Sequence, residues 1–529
     1  MFAWYKGAVL RLSGFYSSIS DVFDANLTIG YSIALAVSLA VALIVVWTNG
    51  NVEAAMAFVV AVAVVFTTFY KVEWGFYMFF AMVMLFDQFL NPMPFGIPFT
   101  EKVAYFDNLN MNPFIPSFSA GVMNPLEIQM ALILLAWFIS VSSRTRRQVQ
   151  GAPYWGFAIL LFLELMASEL YGLHGGGDFL VSLWEIRALM YFLLLYFLVP
   201  QVIQTKEQIS VVLWIFIAMI TVKALQGDVR FIRLGFKFDD YTVLTNHEDP
   251  MFMADLFILL IGYSLFDAKT GQRRVIFWLL PVLLMGFYSG QRRACYAGFF
   301  IALGTFIVML NRVERKKFFR AALPIFLFLG AYTAIFWNYN GRISEPIQLV
   351  KSGFSKDASG AGERFDSNLY REFERYDLAV TVRNHPVIGT GFGQKYMRPA
   401  FLVNLGISLQ DWIPHDQIFW LMVNMGAVGF FIFFLFINAL MFESGKVAGL
   451  VRDPFLKAVT LMIGAMIVNQ MVVSYFDMQL TWYRDMVFMG TFSALLPTIT
   501  RLSKETSAPS DSTGLHAGQP NLTPETANV

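Results

Sequence analysis

The feature that most limits what this chain can fold into is the apolar run from Ile418 to Leu440. It is long enough to cross a lipid bilayer as a helix, because a hydrocarbon core of about 30 Å needs about 20 apolar residues. Similar runs recur along the chain, so we predict about 14 membrane-spanning helices. The predicted spans are 29–48, 52–70, 74–90, 125–143, 153–171, 183–200, 208–224, 251–266, 275–289, 293–310, 320–338, 416–441, 456–474 and 482–499.

The composition supports this prediction. Hydrophobic residues make up 57% of the chain and charged residues only 14%, whereas soluble proteins carry about 25% charged residues. The predicted fold class is therefore an all-α polytopic membrane protein. The net charge of +1 provides no broad basic surface, so no nucleic-acid partner is predicted.

Basic residues in short connections predict the orientation, because such residues stay on the cytoplasmic side of the membrane. Three basic clusters follow the fourth, eighth and tenth spans, and all three fall on one side when the spans alternate. This predicts cytoplasmic termini, with segments 91–124, 225–250 and 339–415 outside the cytoplasm. The clusters are Arg144, Arg146 and Arg147; Lys269, Arg273 and Arg274; and Arg312, Arg315, Lys316 and Lys317.

The same pattern divides the chain into five parts. Residues 1–28 are predicted to be a cytoplasmic, amphipathic segment without a cleavable signal peptide. The first 11 spans occupy 29–338, and a large periplasmic loop follows at 339–415. The last three spans occupy 416–499, and 500–529 is predicted to be a disordered cytoplasmic tail, since it is polar and rich in Ser, Thr, Pro and Gly.

Within the large loop, the stretch from Asn368 to Arg383 predicts a helix. Apolar residues recur there at three- and four-residue steps, and Pro386 follows the predicted end of the helix. These residues are Leu369, Phe373, Tyr376, Leu378, Ala379 and Val382.

His415 is the candidate catalytic base. It follows Pro414, at the end of the loop and the start of a span. An imidazole with an ordinary pKa of about 6.5 can take a proton near neutral pH, and a neighbouring carboxylate such as Asp416 can tune it. The alternative is a histidine with a purely structural role. The five histidines do not show the spacing of a zinc site.

Five arginines are candidates for binding an anion. All are predicted at or above the outer membrane surface, where basic residues are normally rare. A guanidinium binds phosphate oxygens through two parallel hydrogen bonds, so these residues predict a diphosphate clamp. Arg187 is the candidate nearest the interior of a span. Its alternative role is that of an interfacial residue whose charge reaches the membrane surface. The candidates are Arg187, Arg292, Arg293, Arg371 and Arg375.

Two further segments are interpreted as structural. Glu248 and Asp249, before the eighth span, could be a glycosidase-like carboxylate pair, but adjacent residues do not promise the necessary separation. We therefore favour an N-cap and helix-start role there. Gly389–Gly393 is predicted to be a tight turn, where glycine can adopt positive φ, and not a phosphate-binding loop, because no Lys-Ser/Thr follows it.

Four motifs lie within about residues 180–440: Ser289–Ala294, Arg371 with residue 375, His385–Gly391, and Pro414–Asp416 followed by Asn424–Gly429. They resemble the motifs of the O-antigen ligase and O-antigen polymerase superfamily of bacterial inner-membrane proteins. Their order and their position around one large outer loop make the resemblance specific. The chain departs from the family motifs at Asp416 (usually Asn), Arg293 (Gly), Arg375 (Trp) and Asn424 (Glu), which leaves the subfamily open.

The resemblance implies a GT-C-like membrane glycosyltransferase that uses neither a nucleotide sugar nor a metal ion. Its donor would be a glycan on undecaprenyl diphosphate. Its acceptor would be another lipid-linked glycan, as in an O-antigen or exopolysaccharide polymerase, or the lipid A core, as in an O-antigen ligase. The slightly favoured prediction is the polymerase, with chain-length regulators or export proteins as further candidate partners.

Two other functional classes remain open at this point. One is a flippase or secondary transporter of lipid-linked glycans, against which stand the lack of an internal repeat and the position of the charges at the outer surface. The other is a structural member of an envelope complex, for which scattered charges would be expected.

Overall fold

The structure is a computed structural model that describes residues 32, 34–47, 50, 52–89, 99–109, 123–143, 149–237, 244–339, 341–351, 361–400 and 409–507. These residues form helices and no strands, so the all-α prediction is confirmed for them. Three predictions fall outside the described residues: the N-terminal segment 1–28, the basic cluster at 144–147 and most of the loop 91–124.

Eighteen α-helices are described, together with a short 3-10 turn at Arg342–Ser344. They are α1 (Ala34–Trp47), α2 (Val52–Tyr70), α3 (Val72–Leu85), α4 (Phe99–Lys102), α5 (Pro125–Ser142), α6 (Trp155–His174), α7 (Phe179–Val202), α8 (Lys206–Arg233), α9 (Asp249–Leu265), α10 (Gly271–Ser289), α11 (Arg293–Met309), α12 (Arg312–Phe336), α13 (Glu345–Lys351), α14 (Ala361–Asn384), α15 (Gln417–Leu450), α16 (Pro454–Ser474), α17 (Tyr483–Ser493) and α18 (Leu495–Ser507).

Seven of the described helices are long and apolar enough to cross a membrane: α5, α6, α7, α8, α12, α15 and α16. Each predicted span overlaps a helix, but several of these helices are shorter, and the count of 14 spans stays a prediction. At the C-terminus, α18 continues to Ser507, so the first part of the predicted tail is helical. Residues 508–529 lie outside the described residues.

The chain divides into two compact units. One comprises Met1–Met78 and Gln129–Phe138, and the other comprises Phe79–Ile128 and Ile139–Val529. In the first unit, Gly75 packs so closely against Thr68 that a Cβ added at Gly75 would lie 2.5 Å from the Thr68 hydroxyl. In the second, α7 packs against α17, α8 against α10, and α11 against α16. All candidate site residues belong to the second unit.

Ion pairs join several helix ends on one side of the second unit. Lys317 of α12 lies 2.9 Å from Asp267, just after α9, and Lys457 of α16 forms an ion pair with Glu314 of α12. Two of the predicted basic clusters lie at these same helix ends, as the alternation of spans requires. That this side faces the cytoplasm stays a prediction.

The opposite end, where α9, α11 and α15 begin, contains a buried ionic network that we call the Arg484 network. The Arg484 guanidinium is fully buried, bonds Glu248, and lies 3.0 Å from Asp249 and 3.6 Å from Asp87. It also donates to two carbonyls at the end of α3. Lys223 of α8 bonds Asp87. The network therefore ties α3, α8, α9 and α17 together.

This network decides the role of Glu248 and Asp249. Both carboxylates contact Arg484, so they do not form a glycosidase-like pair facing a substrate. The helix α9 begins at Asp249, which confirms the predicted helix start. The predicted N-cap role is wrong, because the Glu248 side chain bonds Arg484 and makes no capping hydrogen bond.

We predict that Arg484→Ala destabilises the protein by about 3–5 kcal/mol, because removing one partner leaves buried carboxylates uncompensated. The loss is measured as the change in thermal unfolding of the purified protein in detergent. Arg452→Ala is the control, since Arg452 is exposed and such substitutions change stability by less than about 0.5 kcal/mol. Equal unfolding temperatures for both variants would contradict a structural role for the network.

Candidate active site

His415 is held by a buried carboxylate that the sequence patterns did not indicate. Its backbone N–H donates to Glu374 Oε2 at 3.0 Å, and its Nδ1 lies 3.1 Å from Glu374 Oε1. The Tyr370 ring packs against the edge of the imidazole, with ring centroids 5.7 Å apart. Since Nδ1 is bonded to the carboxylate, it carries the proton, and Nε2 of the neutral ring has a free lone pair. This is the arrangement that a general base requires.

Asp416 contacts groups other than the imidazole of His415, and its predicted catalytic role stays a prediction. Its Oδ1 accepts from the Phe419 amide at 3.1 Å and so caps α15, and its Oδ2 accepts from Arg375 Nε at 3.0 Å. The Arg375 guanidinium also lies over the Tyr475 ring, 4.5 Å from its centroid. The carboxylate that contacts His415 is therefore Glu374, and Asp416 positions Arg375 and the start of α15.

The helix α14 confirms the prediction of a helix in the large loop. Of the predicted apolar positions, Leu378 is buried, whereas Phe373 and Tyr376 are exposed. The side chains of Glu374 and Asp377 are also buried. The buried face of α14 is thus partly polar, and one of its carboxylates reaches His415.

A break in α15 gives the glycine-rich segment its role. At Gly426 the backbone leaves helical geometry, with φ 62° and ψ −165°. Thr390 and Gly391 donate their amide protons to the carbonyls of Val423 and Asn424 at 2.7 and 2.9 Å. Two residues after the break donate in turn to carbonyls at 386 and 387. The segment therefore replaces the hydrogen bonds that the helix loses, and the predicted turn with positive φ is confirmed at glycines 389, 391 and 393.

Arg292 and Arg371 form a cationic pair near the imidazole. Arg292 is mostly buried; its Nη1 lies 3.8 Å from Asp477 Oδ2, and its buried Nε has no hydrogen-bond partner among the described residues. Burial lowers the pKa of the Arg292 guanidinium, Asp477 opposes this shift, and the nearby charge of Arg371 lowers the pKa further. Arg371 is half-buried, and no hydrogen bond or ion pair is found for it within the described residues. These guanidinium donors are suited to a bound polyanion.

Of the other three predicted arginines, Arg375 contacts Asp416, and the remaining two have different surroundings. Arg187 on α7 lies 3.1 Å from Glu127 Oε1 and donates to Asn108 at 2.7 Å, so an internal carboxylate already balances its charge. Arg293 is half-buried and is the first residue of α11. Their contact with a phosphate stays a prediction. In the described part of the chain, no group of three or more His, Cys, Asp or Glu side chains could hold a metal ion.

A second histidine, His247, was missed as a site residue. Its Nδ1 lies 2.9 Å from Asp477 Oδ2, the same oxygen that faces Arg292. A sequence signal for His247 did exist, because it precedes α9 as His415 precedes α15. Glu374 had no such signal, because the buried face of α14 also carries Asp377. No local signal marks Asp477, which is 230 residues from its partner.

The fold and the site together define a helical membrane protein with a carboxylate-held histidine near two partly buried arginines. Residues 275–434 match the family model described as O-antigen ligase. The chain therefore carries a domain of the O-antigen ligase and polymerase superfamily, and the resemblance of the sequence motifs is confirmed. A comparison with curated proteins gave no significant match. The matched residues include Arg292, Arg371 and His415, whereas His247 and Asp477 lie outside them.

We predict that Gly426→Ala destabilises the protein by at least about 1–3 kcal/mol, the cost of backbone strain at such a residue. A Cβ there would also lie 2.3 Å from the backbone of Val387. Gly445→Ala is a matched control in the same helix, since no atom lies within 4 Å of its added Cβ. Thermal unfolding in detergent measures both. A Gly426→Ala variant as stable as Gly445→Ala would contradict the described break in α15.

Proposed function

We propose that the protein transfers a glycan from undecaprenyl diphosphate to a hydroxyl group of an acceptor glycan, at the periplasmic face of the bacterial inner membrane. The observation that carries this proposal is the pairing of His415 with buried Glu374, near Arg292 and near Arg371, whose guanidinium has no partner among the described residues. The His415–Glu374 pair supplies a base, and the two arginines supply positive charge for the diphosphate that leaves. The match to the O-antigen ligase family supports the same reaction class.

In the proposed reaction, His415 Nε2 takes the proton of the acceptor hydroxyl as its oxygen attacks the anomeric carbon of the donor sugar. Glu374 keeps the imidazole in the tautomer that accepts at Nε2 and stabilises the imidazolium that forms. A new glycosidic C–O bond forms and the C–O bond to the diphosphate breaks. This single displacement inverts the configuration at the anomeric carbon.

The bond that breaks leaves its electron pair on the diphosphate oxygen, so undecaprenyl diphosphate departs with increased negative charge. Cations held in place before the reaction stabilise this charge without reorganisation. We assign this role to Arg292 and Arg371. Arg371 has no carboxylate partner among the described residues, and Arg292 shares its partner Asp477, 3.8 Å away, with His247. Arg375 is bonded to Asp416 and would support the site through the start of α15.

The acceptor distinguishes a polymerase from a ligase. We favour a polymerase of O-antigen or exopolysaccharide, whose acceptor is a second lipid-linked glycan. The alternative is a ligase that transfers the glycan to the lipid A core, which the description of the matched family favours. Both reactions use the same donor, base and arginines.

A cellular experiment tests this choice. In cells without the gene, we expect single lipid-linked repeat units to accumulate, and complementation with the wild-type protein to restore long chains. Electrophoresis of surface glycans and extraction of lipid-linked intermediates provide the measurement. Accumulation of long lipid-linked chains that never reach lipid A would instead establish the ligase. No change in either pool would contradict glycosyl transfer.

We predict that His415→Ala abolishes transfer by the purified protein and that Glu374→Gln lowers kcat by about 10²-fold or more. General-base catalysis contributes about 10²–10⁴-fold, and a neutral amide no longer holds the imidazole in the reactive tautomer. The KM for the lipid-linked donor should change little, because Glu374 does not contact the donor in this proposal. Transfer assays with a lipid-linked donor measure both constants.

The matched control is Glu372→Gln on the same helix, because Glu372 is exposed. It should transfer at the wild-type rate. Glu374→Asp should recover part of the lost kcat, since it restores the carboxylate at a shorter reach. If Glu374→Gln and Glu372→Gln have the same kcat, Glu374 does not position His415 for catalysis.

A further inference from the structure

A second imidazole near the site is also held by a buried carboxylate. His247 Nδ1 lies 2.9 Å from Asp477 Oδ2, and the other oxygen of Asp477 accepts from the backbone amide of Met478 at 2.9 Å. The His247 side chain is 40% exposed, and its Nε2 has no hydrogen-bond partner among the described residues. The carboxylate thus fixes one ring nitrogen and leaves the other open.

The neighbours of His247 place it beside the arginine pair. The Asp477 oxygen that contacts His247 also lies 3.8 Å from Arg292 Nη1. The Trp482 ring packs against the imidazole with centroids 5.0 Å apart. Cys295, on the first turn of α11, contacts the backbone carbonyl of His247 through its sulfur atom. These contacts place the ring and Arg292 next to the same carboxylate oxygen.

The charged groups around the imidazole determine its state without a ligand. Desolvation by the surrounding protein lowers the pKa of His247, and the Arg292 charge lowers it further. Asp477 opposes these effects, and His415 adds a weaker effect that lowers the pKa. The net shift is downward, so the ring is neutral at neutral pH until an anion binds.

We propose that His247 is a further diphosphate-binding residue, which takes up a proton at Nε2 when the diphosphate binds and donates that proton to a phosphate oxygen. This inference rests on the proposed function and extends it with a residue outside the matched family segment. Asp477 holds the ring through Nδ1, and Arg292, next to the same Asp477 oxygen, binds the anion as well. The proton comes from solvent, and no covalent bond changes.

Proton uptake gives this proposal a signature that a structural role would lack. The free His247 has a lowered pKa, and a bound diphosphate raises it by stabilising the imidazolium. Binding therefore strengthens as the pH falls from the pKa of the complex to that of the free protein. Between these two pKa values, the wild-type protein takes up as much as one proton more per bound diphosphate than a variant that lacks Nε2 of His247.

The test is isothermal titration calorimetry of the full-length protein with inorganic diphosphate, in two buffers of different ionisation enthalpy. Any titration of the diphosphate itself is common to all variants and cancels in the comparison. His247→Asn keeps a donor near the Nδ1 position and removes Nε2. His247→Gln places a neutral donor near the Nε2 position. Arg371→Ala is the control for the arginine pair.

We expect His247→Asn to bind diphosphate about tenfold more weakly, the effect of about 1.4 kcal/mol, and to take up fewer protons than the wild type. His247→Gln should bind better than His247→Asn but show the same reduced uptake. If both His247 variants show wild-type affinity and wild-type proton uptake while Arg371→Ala binds weakly, this inference is overturned and the proposed function stays intact. Wild-type affinity in all three variants would contradict the diphosphate site itself.

Discussion

The fully buried guanidinium of Arg484 fixes the frame on which the site depends. It joins the end of α3 to the start of α9 and to α17. Without its carboxylate partners, the guanidinium charge would be buried and uncompensated, at a cost of several kcal/mol. Since Glu248 and Asp249 bind Arg484, the preceding residue His247 is held at the start of α9. Asp477 lies in the short connection that leads into α17, so the Arg484 network fixes both ends of the His247–Asp477 pair.

Charges at this end of the protein fall into two groups. Arg484 and Arg375 are matched by carboxylates, and they hold helices and loops in place. Arg371 has no partner among the described residues, and the buried Nε of Arg292 has none either. The proposed diphosphate would supply negative charge to these donors. Glu374 contacts His415, whereas Asp477 is shared between His247 at 2.9 Å and Arg292 at 3.8 Å.

The helices could be predicted from the sequence because the length of an apolar run depends only on local composition, and the position of His415 before α15 followed from the same runs. The buried face of α14 could not be predicted from the sequence, because it includes polar parts of the site. Glu374 and Asp377 are buried, while Phe373 is exposed. Pairing between distant segments also leaves no local pattern. The contact of His247 with a residue 230 positions away depends on how the helices pack.

The most direct test of the central claim is the anomeric configuration of the product. Purified protein would be given a lipid-linked donor of known configuration and an acceptor glycan, and the new linkage would be assigned by NMR. A single displacement with His415 as the base predicts inversion at the anomeric carbon. Retention would require two displacements through a covalent intermediate and would contradict this account.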